Sequence, residues 1–126
     1  MTVEISSAAR ETMLALAADN PLSEVCGLLF GQGSRIDAVT PVRNVAENPL
    51  ANFELDPSAL FAALREERAG GPTVLGYFHS HPNSLSRPSA TDIAMARPDN
   101  LIWIIIGNEL TAWRSTPFGF RQLRVH

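Results

Sequence analysis

The run from Leu101 to Ile106 reads LIWIII and has neither a charged residue nor polar–apolar alternation. β-branched and aromatic residues favour strands, and an apolar strand without alternation is typical of a sheet covered on both faces. Gly107 and Asn108 turn the chain into a second strand, Leu110–Arg114. The sequence therefore predicts a sheet between two packed layers, not a sheet with one face in solvent.

Helix and strand signals alternate over the rest of the chain. Ser6 or Ser7 can cap the first helix, and Asp56 followed by Pro57 begins the second. The predicted helices span about residues 7–18, 57–68 and 89–96, and the predicted strands about residues 24–31, 35–45, 73–81, 101–106, 110–114 and 118–125. This order predicts an α/β fold, a mixed β-sheet flanked by helices, in a single domain of residues 1–126.

The charge pattern argues against several classes of function. The formal net charge is −3, and the ten basic residues are scattered along the chain, which argues against a nucleic-acid-binding surface. The N-terminal segment lacks the basic start and apolar core of a signal peptide, and the longest apolar run is too short to cross a bilayer. We predict a cytoplasmic protein that binds neither nucleic acid nor a membrane.

Cys26 is the only cysteine, which excludes an intrachain disulfide and every zinc site built on paired thiolates. Any metal site in this chain has to use histidine and carboxylate ligands. Cys26 itself lies inside a predicted buried strand, where a small apolar role fits it better than a reactive thiol.

His79 and His81 are two residues apart at the end of an apolar strand, so both imidazoles leave the same face and can converge on one ion. Asp92 lies on the first turn of the following helix, which a short loop can fold back over the strand end. Two imidazoles and one carboxylate suit Zn²⁺ and leave a fourth position for water, as in hydrolytic zinc sites.

Two further residues complete the predicted catalytic set. Glu24, at the start of a strand that can lie beside the histidine strand, is the carboxylate predicted to transfer protons. Ser89 can donate a hydrogen bond to the oxyanion of a tetrahedral intermediate. The segment Ser89-Ala-Thr-Asp92 also resembles a capping box with Asp in place of Glu, and the two interpretations are compatible.

The segment from His79 to Asp92, HSHPNSLSRPSATD, fits the H-x-H-x(7)-S-x-x-D pattern of the JAMM (MPN+) metalloproteases. Residues 24–31, EVCGLLFG, look like the segment that carries that family's glutamate. The resemblance implies zinc held by His79, His81 and Asp92, with Glu24 as general acid and base. It also implies a fold related to that of the cytidine deaminases, whose own H-x-E and P-C-x-x-C signatures are absent here.

The resemblance also implies a substrate class. Members of the family cut peptide or isopeptide bonds after the C-terminal Gly-Gly of ubiquitin or ubiquitin-like proteins. The chain is little more than a catalytic core and resembles the compact prokaryotic branch, which implies a sulfur-carrier protein of ubiquitin-like fold as partner. Residues 52–55, NFEL, are a candidate edge along which such a tail can add as a strand. The alternative for this segment is a loop whose Phe53 covers the core.

Two other functions stay open at this stage. A non-catalytic MPN-type scaffold is one alternative, although such relatives usually lack ligands that this chain has. A general metallopeptidase of small peptides is the other. The sequence does not name the carrier, the type of bond, the pathway or the oligomeric state.

Overall fold

The structure is a computed structural model that describes residues 1–126, with three helices and seven strands. The helices are α1 (Ser7–Asp19), α2 (Pro57–Arg68) and α3 (Ala90–Met95). The strands are β1 (Thr2–Ile5), β2 (Cys26–Gln32), β3 (Arg35–Val42), β4 (Thr73–Ser80), β5 (Ile102–Ile106), β6 (Leu110–Thr116) and β7 (Gly119–Val125). The mixed sheet with helices confirms the predicted fold class, and only β1 has no predicted counterpart.

β1 closes the sheet into a barrel with the strand order β1-β3-β2-β4-β5-β6-β7. It runs parallel to both neighbours, pairing Glu4 with Arg35 of β3 and Thr2 with Arg124 of β7. The sequence did not predict this closure, because four residues are too few for an alternation pattern to stand out. The pairing leaves most of β3 as an edge, so Pro41 removes no hydrogen bond from the sheet there, as predicted.

The larger hydrophobic core receives side chains from every strand and from α1, including Met13, Phe78 and Ile104, all fully buried. A smaller core lies between α2 and the sheet, around Leu28 and Val74. All of β5 is buried, which confirms that this strand is covered on both faces. None of the helices is long and apolar enough to cross a membrane.

A bulge in β4 decides which face its last residues occupy. Leu29 of β2 pairs with Gly76, but the next residue, Phe30, pairs with Val74, so Leu75 is an extra residue in β4. Gly76 has a φ of 153°, and a Cβ there would lie 1.8 Å from the carbonyl oxygen of Ile102, so only glycine fits. After the bulge, the alternation of side chains resumes one residue out of phase, so Tyr77 and His79 face the α2 side while Phe78 enters the larger core.

Candidate metal centre

The centre lies where β4 ends, on the α2 side of the sheet. The Nε2 atoms of His79 and His81 are 2.9 Å apart, and the Oδ2 atom of Asp92 lies 3.1 Å from the first and 3.0 Å from the second. All three side chains are buried. The structure therefore brings together the three residues proposed as metal ligands from the sequence.

Glu24 reaches the same place because β2 pairs antiparallel with β4, with Cys26 opposite His79. Beyond the end of the ladder, the Val25 N–H donates to the Ser80 hydroxyl at 2.9 Å, and the Ser80 N–H donates to the Val25 carbonyl at 3.0 Å. One ligand atom each from Glu24, His79 and His81 lies within 4.8 Å of the other two. The Oε1 atom of Glu24 is buried without a hydrogen-bond partner. Glu24 thus lies beside the three-residue centre without a hydrogen bond from its Oε1 atom, close enough to share a metal ion with the two histidines.

The first turn of α3 aims Asp92. Ser89 caps the helix, its Oγ accepting from the Asp92 N–H at 3.0 Å, while the Asp92 Oδ2 accepts from the Ser89 N–H at 2.9 Å. This is a complete capping box, and the same Oδ2 atom faces both imidazoles. The capping and metal-binding interpretations of this segment therefore apply together.

The hydrogen-bond partners of the ring nitrogens indicate where the centre can accept a cation. The Nδ1 atom of His81 lies 2.7 Å from the carbonyl oxygen of Leu85, which can only accept, so Nδ1 carries a proton. In a neutral His81, the Nε2 lone pair then faces the Oδ2 atom of Asp92 at 3.0 Å and the Nε2 atom of His79 at 2.9 Å. A proton on the His79 Nε2, a second proton on His81 or a metal ion can satisfy these acceptors. A donor set of two imidazoles and one carboxylate fits Zn²⁺.

Burial and the hydrogen bonds among these three side chains shift the pKa values of Asp92, His79 and His81. Burial acts to raise the pKa of Asp92, but hydrogen bonds with His79 and His81 outweigh it and hold that pKa well below the ordinary value. Burial lowers the pKa of His79, whose ring is fully buried. Burial also lowers the pKa of His81, but its bonds to Asp92 and Leu85 raise it above the ordinary value. A metal ion bound by these residues would compete with protons for the Nε2 atoms of His79 and His81.

Glu24 has the opposite shift from Asp92. Burial raises its pKa to about 7, the charge of His81 acts to lower it, and the charge of Asp92 raises it. A carboxyl group that titrates near neutral pH can both accept and return a proton at the pH of a cell, which is what a general acid and base requires.

In the metal-free protein, we expect Glu24 to make the folded state less favourable as the pH rises from about 4.5 to about 7. Its folded pKa, about 7, lies above its ordinary value of 4.5, so the stability it contributes is fully present below pH 4.5 and lost through pH 7. Urea unfolding with a chelator present, at several pH values, would measure this for the wild type and Glu24→Gln. The difference between the two should fall with rising pH, because groups whose pKa values do not depend on Glu24 cancel; a constant difference would contradict the assigned shift.

A cavity of about 150 Å³ opens beside the centre, and Asp92, Phe53, Leu55, Tyr77 and Trp103 are among the residues that line it. The segment 52–55 forms one wall as a short extended piece, with Leu55 bridged to Asn44. The N–H and C=O groups of Phe53 and Leu55 make no hydrogen bond within the chain. The edge of this segment is free, and Phe53 is half-buried against the centre.

Two residues of the site were missed in the sequence. Phe53 stacks on the His79 ring, with centroids 4.1 Å apart and planes 21° apart. Asn44 holds the segment 52–55 in place, and nothing in the sequence around it marks that role. Cys26 has a buried thiol that donates to the Val42 carbonyl at 3.4 Å, and burial raises its pKa to about 12, which confirms its structural role.

The centre lies within a region that matches a known family. The family described as prokaryotic homologs of the JAB domain matches residues 6–117. A desampylase of Haloferax volcanii is 34% identical in an alignment that covers 98% of this chain and 94% of the relative. A probable TtuB-protein conjugate cleaving protease of Thermus thermophilus is 37% identical, over 69% of this chain and 57% of the relative.

Solved structures agree with the fold. A protein of Desulfitobacterium hafniense superposes with a TM-score of 0.85 at 29% identity, covering 100% of this chain and 92% of the other. A JAB1/MPN domain protein of Archaeoglobus fulgidus superposes with a TM-score of 0.63 at 21% identity, over 99% of this chain and 98% of the other. The second likeness is one of fold alone, and it agrees with the resemblance seen in the sequence.

Proposed function

The chain belongs to the family of prokaryotic homologs of the JAB domain, and we propose that within this family it is a zinc isopeptidase that cleaves after the C-terminal Gly-Gly of a ubiquitin-like protein. It is a hydrolase of the JAMM type, and its relatives include a desampylase and a probable protease of TtuB-protein conjugates. The named relatives favour deconjugation, or processing of a sulfur carrier, over a scaffold role. A cytoplasmic location stays a prediction.

One observation supports the zinc assignment above the others. The Nε2 atoms of His79 and His81 and the Oδ2 atom of Asp92 lie within about 3 Å of one another in a buried place, where one cation could bind all three. Zinc held by these three residues supplies Lewis-acid activation of water and of the scissile carbonyl.

The side chains of this chain supply the remaining steps. Glu24 takes a proton from the attacking water on its unpartnered Oε1 and hands it to the leaving amine. In the metal-free protein, burial raises the pKa of this carboxyl group to about 7. Ser89 accepts with its Oγ in the helix cap, so its own O–H stays available to donate to the developing oxyanion.

The wall of the cavity supports a glycine-rich tail as substrate. The free N–H and C=O groups of Phe53 and Leu55 offer a strand edge to which an extended peptide can add. Residues without side chains can lie against this edge close to the centre, where Phe53, Trp103 and Asp92 leave a cavity of about 150 Å³. A Gly-Gly tail meets this requirement, because two larger residues would contact the aromatic rings.

Incubation with defined substrates tests the proposal. We expect the purified protein to contain about one zinc per chain and to release a ubiquitin-like protein ending in Gly-Gly from a lysine conjugate, as read by intact mass. A matched conjugate ending in Ala-Ala should be cleaved at least about tenfold more slowly, since each methyl group has to enter the cavity. Protein with less than about half a zinc and no cleavage would favour a scaffold; equal cleavage of short peptides and of conjugates would favour a general peptidase.

A further inference from the structure

The two histidines of the metal centre differ in the hydrogen bonding of their Nδ1 atoms. The Nδ1–H of His81 donates to the Leu85 carbonyl at 2.7 Å, which fixes the orientation of that ring. The Nδ1 atom of His79 is buried and has no hydrogen-bond partner. Metal-binding histidines almost always donate their second ring N–H to a carbonyl, carboxylate or water, which fixes the ring for the metal. His79 lacks that restraint.

An aromatic ring covers the face of the imidazole that lacks this hydrogen bond. Phe53 lies face to face with His79, with centroids 4.1 Å and planes 21° apart. Trp103 also packs against His79. Its ring lies edge-on to His79 at 5.7 Å and edge-on to Phe53 at 5.6 Å. The His79 ring is fully buried between them. Rotation about its χ2 bond would drive the imidazole into the face of Phe53.

The position of Phe53 is fixed by a fully bonded amide. Asn44 uses both N–H groups of its side chain, donating to the Glu24 carbonyl at 2.8 Å and the Asn52 carbonyl at 3.0 Å. Its Oδ1 accepts from the N–H groups of Ala46 and Glu54, both at 3.0 Å. The residues on either side of Phe53 are thus tied to the segment that carries Glu24, and the ring is held over His79.

We infer that Phe53 is a positioning residue for the metal centre, which holds the imidazole of His79 in its metal-binding orientation by stacking, in place of a hydrogen bond to Nδ1. This inference rests on the proposed function, because His79 has to be a zinc ligand for its orientation to matter. Phe53 touches neither the metal nor the reacting atoms. Since the same residue forms the wall of the substrate cavity, one side chain connects the tail-binding edge with the metal centre.

Zinc affinity, measured by competition with a chromophoric chelator, tests this role without any substrate. We expect Phe53→Leu to bind zinc about 3- to 10-fold more weakly than wild type, which corresponds to the loss of one aromatic stack. Phe53→Tyr keeps the stack and should bind zinc within about twofold of wild type. Phe120→Leu is the matched control, because Phe120 contacts Trp103 at 4.9 Å but not His79. Unchanged zinc affinity in that control would support a specific role for Phe53.

A second readout, the chemical shift of the His79 ring protons, reports the orientation of that ring. A ring stacked at this distance shifts the His79 ring protons upfield, and we expect that shift in the wild type and in Phe53→Tyr but not in Phe53→Leu. Wild-type zinc affinity in Phe53→Leu, or equal weakening in Phe53→Leu and Phe120→Leu, would overturn the inference and leave the proposed function standing. A wild-type protein that binds no zinc would overturn both.

Discussion

Replacement of Glu24 by Gln is expected to lower kcat by about 10²- to 10⁴-fold while the protein keeps its zinc. The amide has nearly the shape of the carboxylate but cannot take a proton at neutral pH. In the proposed assignment Asp92 is the third ligand and Glu24 transfers protons, so the loss of Glu24 should remove no ligand. Because a carboxylate oxygen of Glu24 lies within 4.8 Å of a ring nitrogen of both histidines, the variant also tests whether Glu24 binds the metal.

The measurement pairs steady-state cleavage of a conjugate with zinc content in the same preparation. Glu47→Gln is the matched control. It makes the same chemical change at an exposed residue away from the centre. It should keep wild-type kcat. An active Glu24→Gln enzyme would refute the assigned base, and a variant that lost its zinc would make Glu24 a ligand instead.

His81→Ala is expected to lose both zinc and cleavage. Only His79 and Asp92 would remain to hold the ion, and two protein ligands rarely do so in a zinc site. The Asp92 carboxylate would also lose one of its two imidazole partners while buried. We expect less than about a tenth of a zinc per chain and no measurable turnover.

Zinc content and turnover measured together decide this second prediction. His126→Ala removes an exposed histidine and should match the wild type in both measurements. Full zinc occupancy with turnover in His81→Ala would show that the centre binds its metal through other residues, and Glu24 would then be the first candidate.

The sequence predicted the proposed ligands and catalytic residues of the site better than the residues that hold them in position. His79, His81, Ser89 and Asp92 follow one another within a single strand, loop and helix, so local spacing was enough to group them. Glu24 is distant in sequence, and its placement depended on the expectation that β2 lies beside β4, which the structure confirms. Spacing carries no comparable information about Phe53 or Asn44, because their contacts depend on how residues 44–55 fold over the sheet.

The bulge in β4 shows a second limit of sequence analysis. Alternation counted from Val74, which packs on the α2 side, would turn Phe78 to that side and His79 to the opposite one. The extra residue at Leu75 reverses this, so Phe78 enters the larger core and His79 reaches the cavity. Predicting that the two histidines share a face required only a period of two, but predicting which face required the bulge.

The closure of the barrel by β1 bears on the order in which the protein folds. β1 joins segments from nearly the two extremes of the chain, pairing Thr2 with Arg124. Contacts between distant segments form late, because closing a long loop costs conformational entropy before any contact offsets it. The contacts of the metal centre described above lie between Glu24 and Ile106, the last residue of β5. The centre can thus assemble while the barrel is still open, and a newly made chain does not need its last strand to be ready for metal.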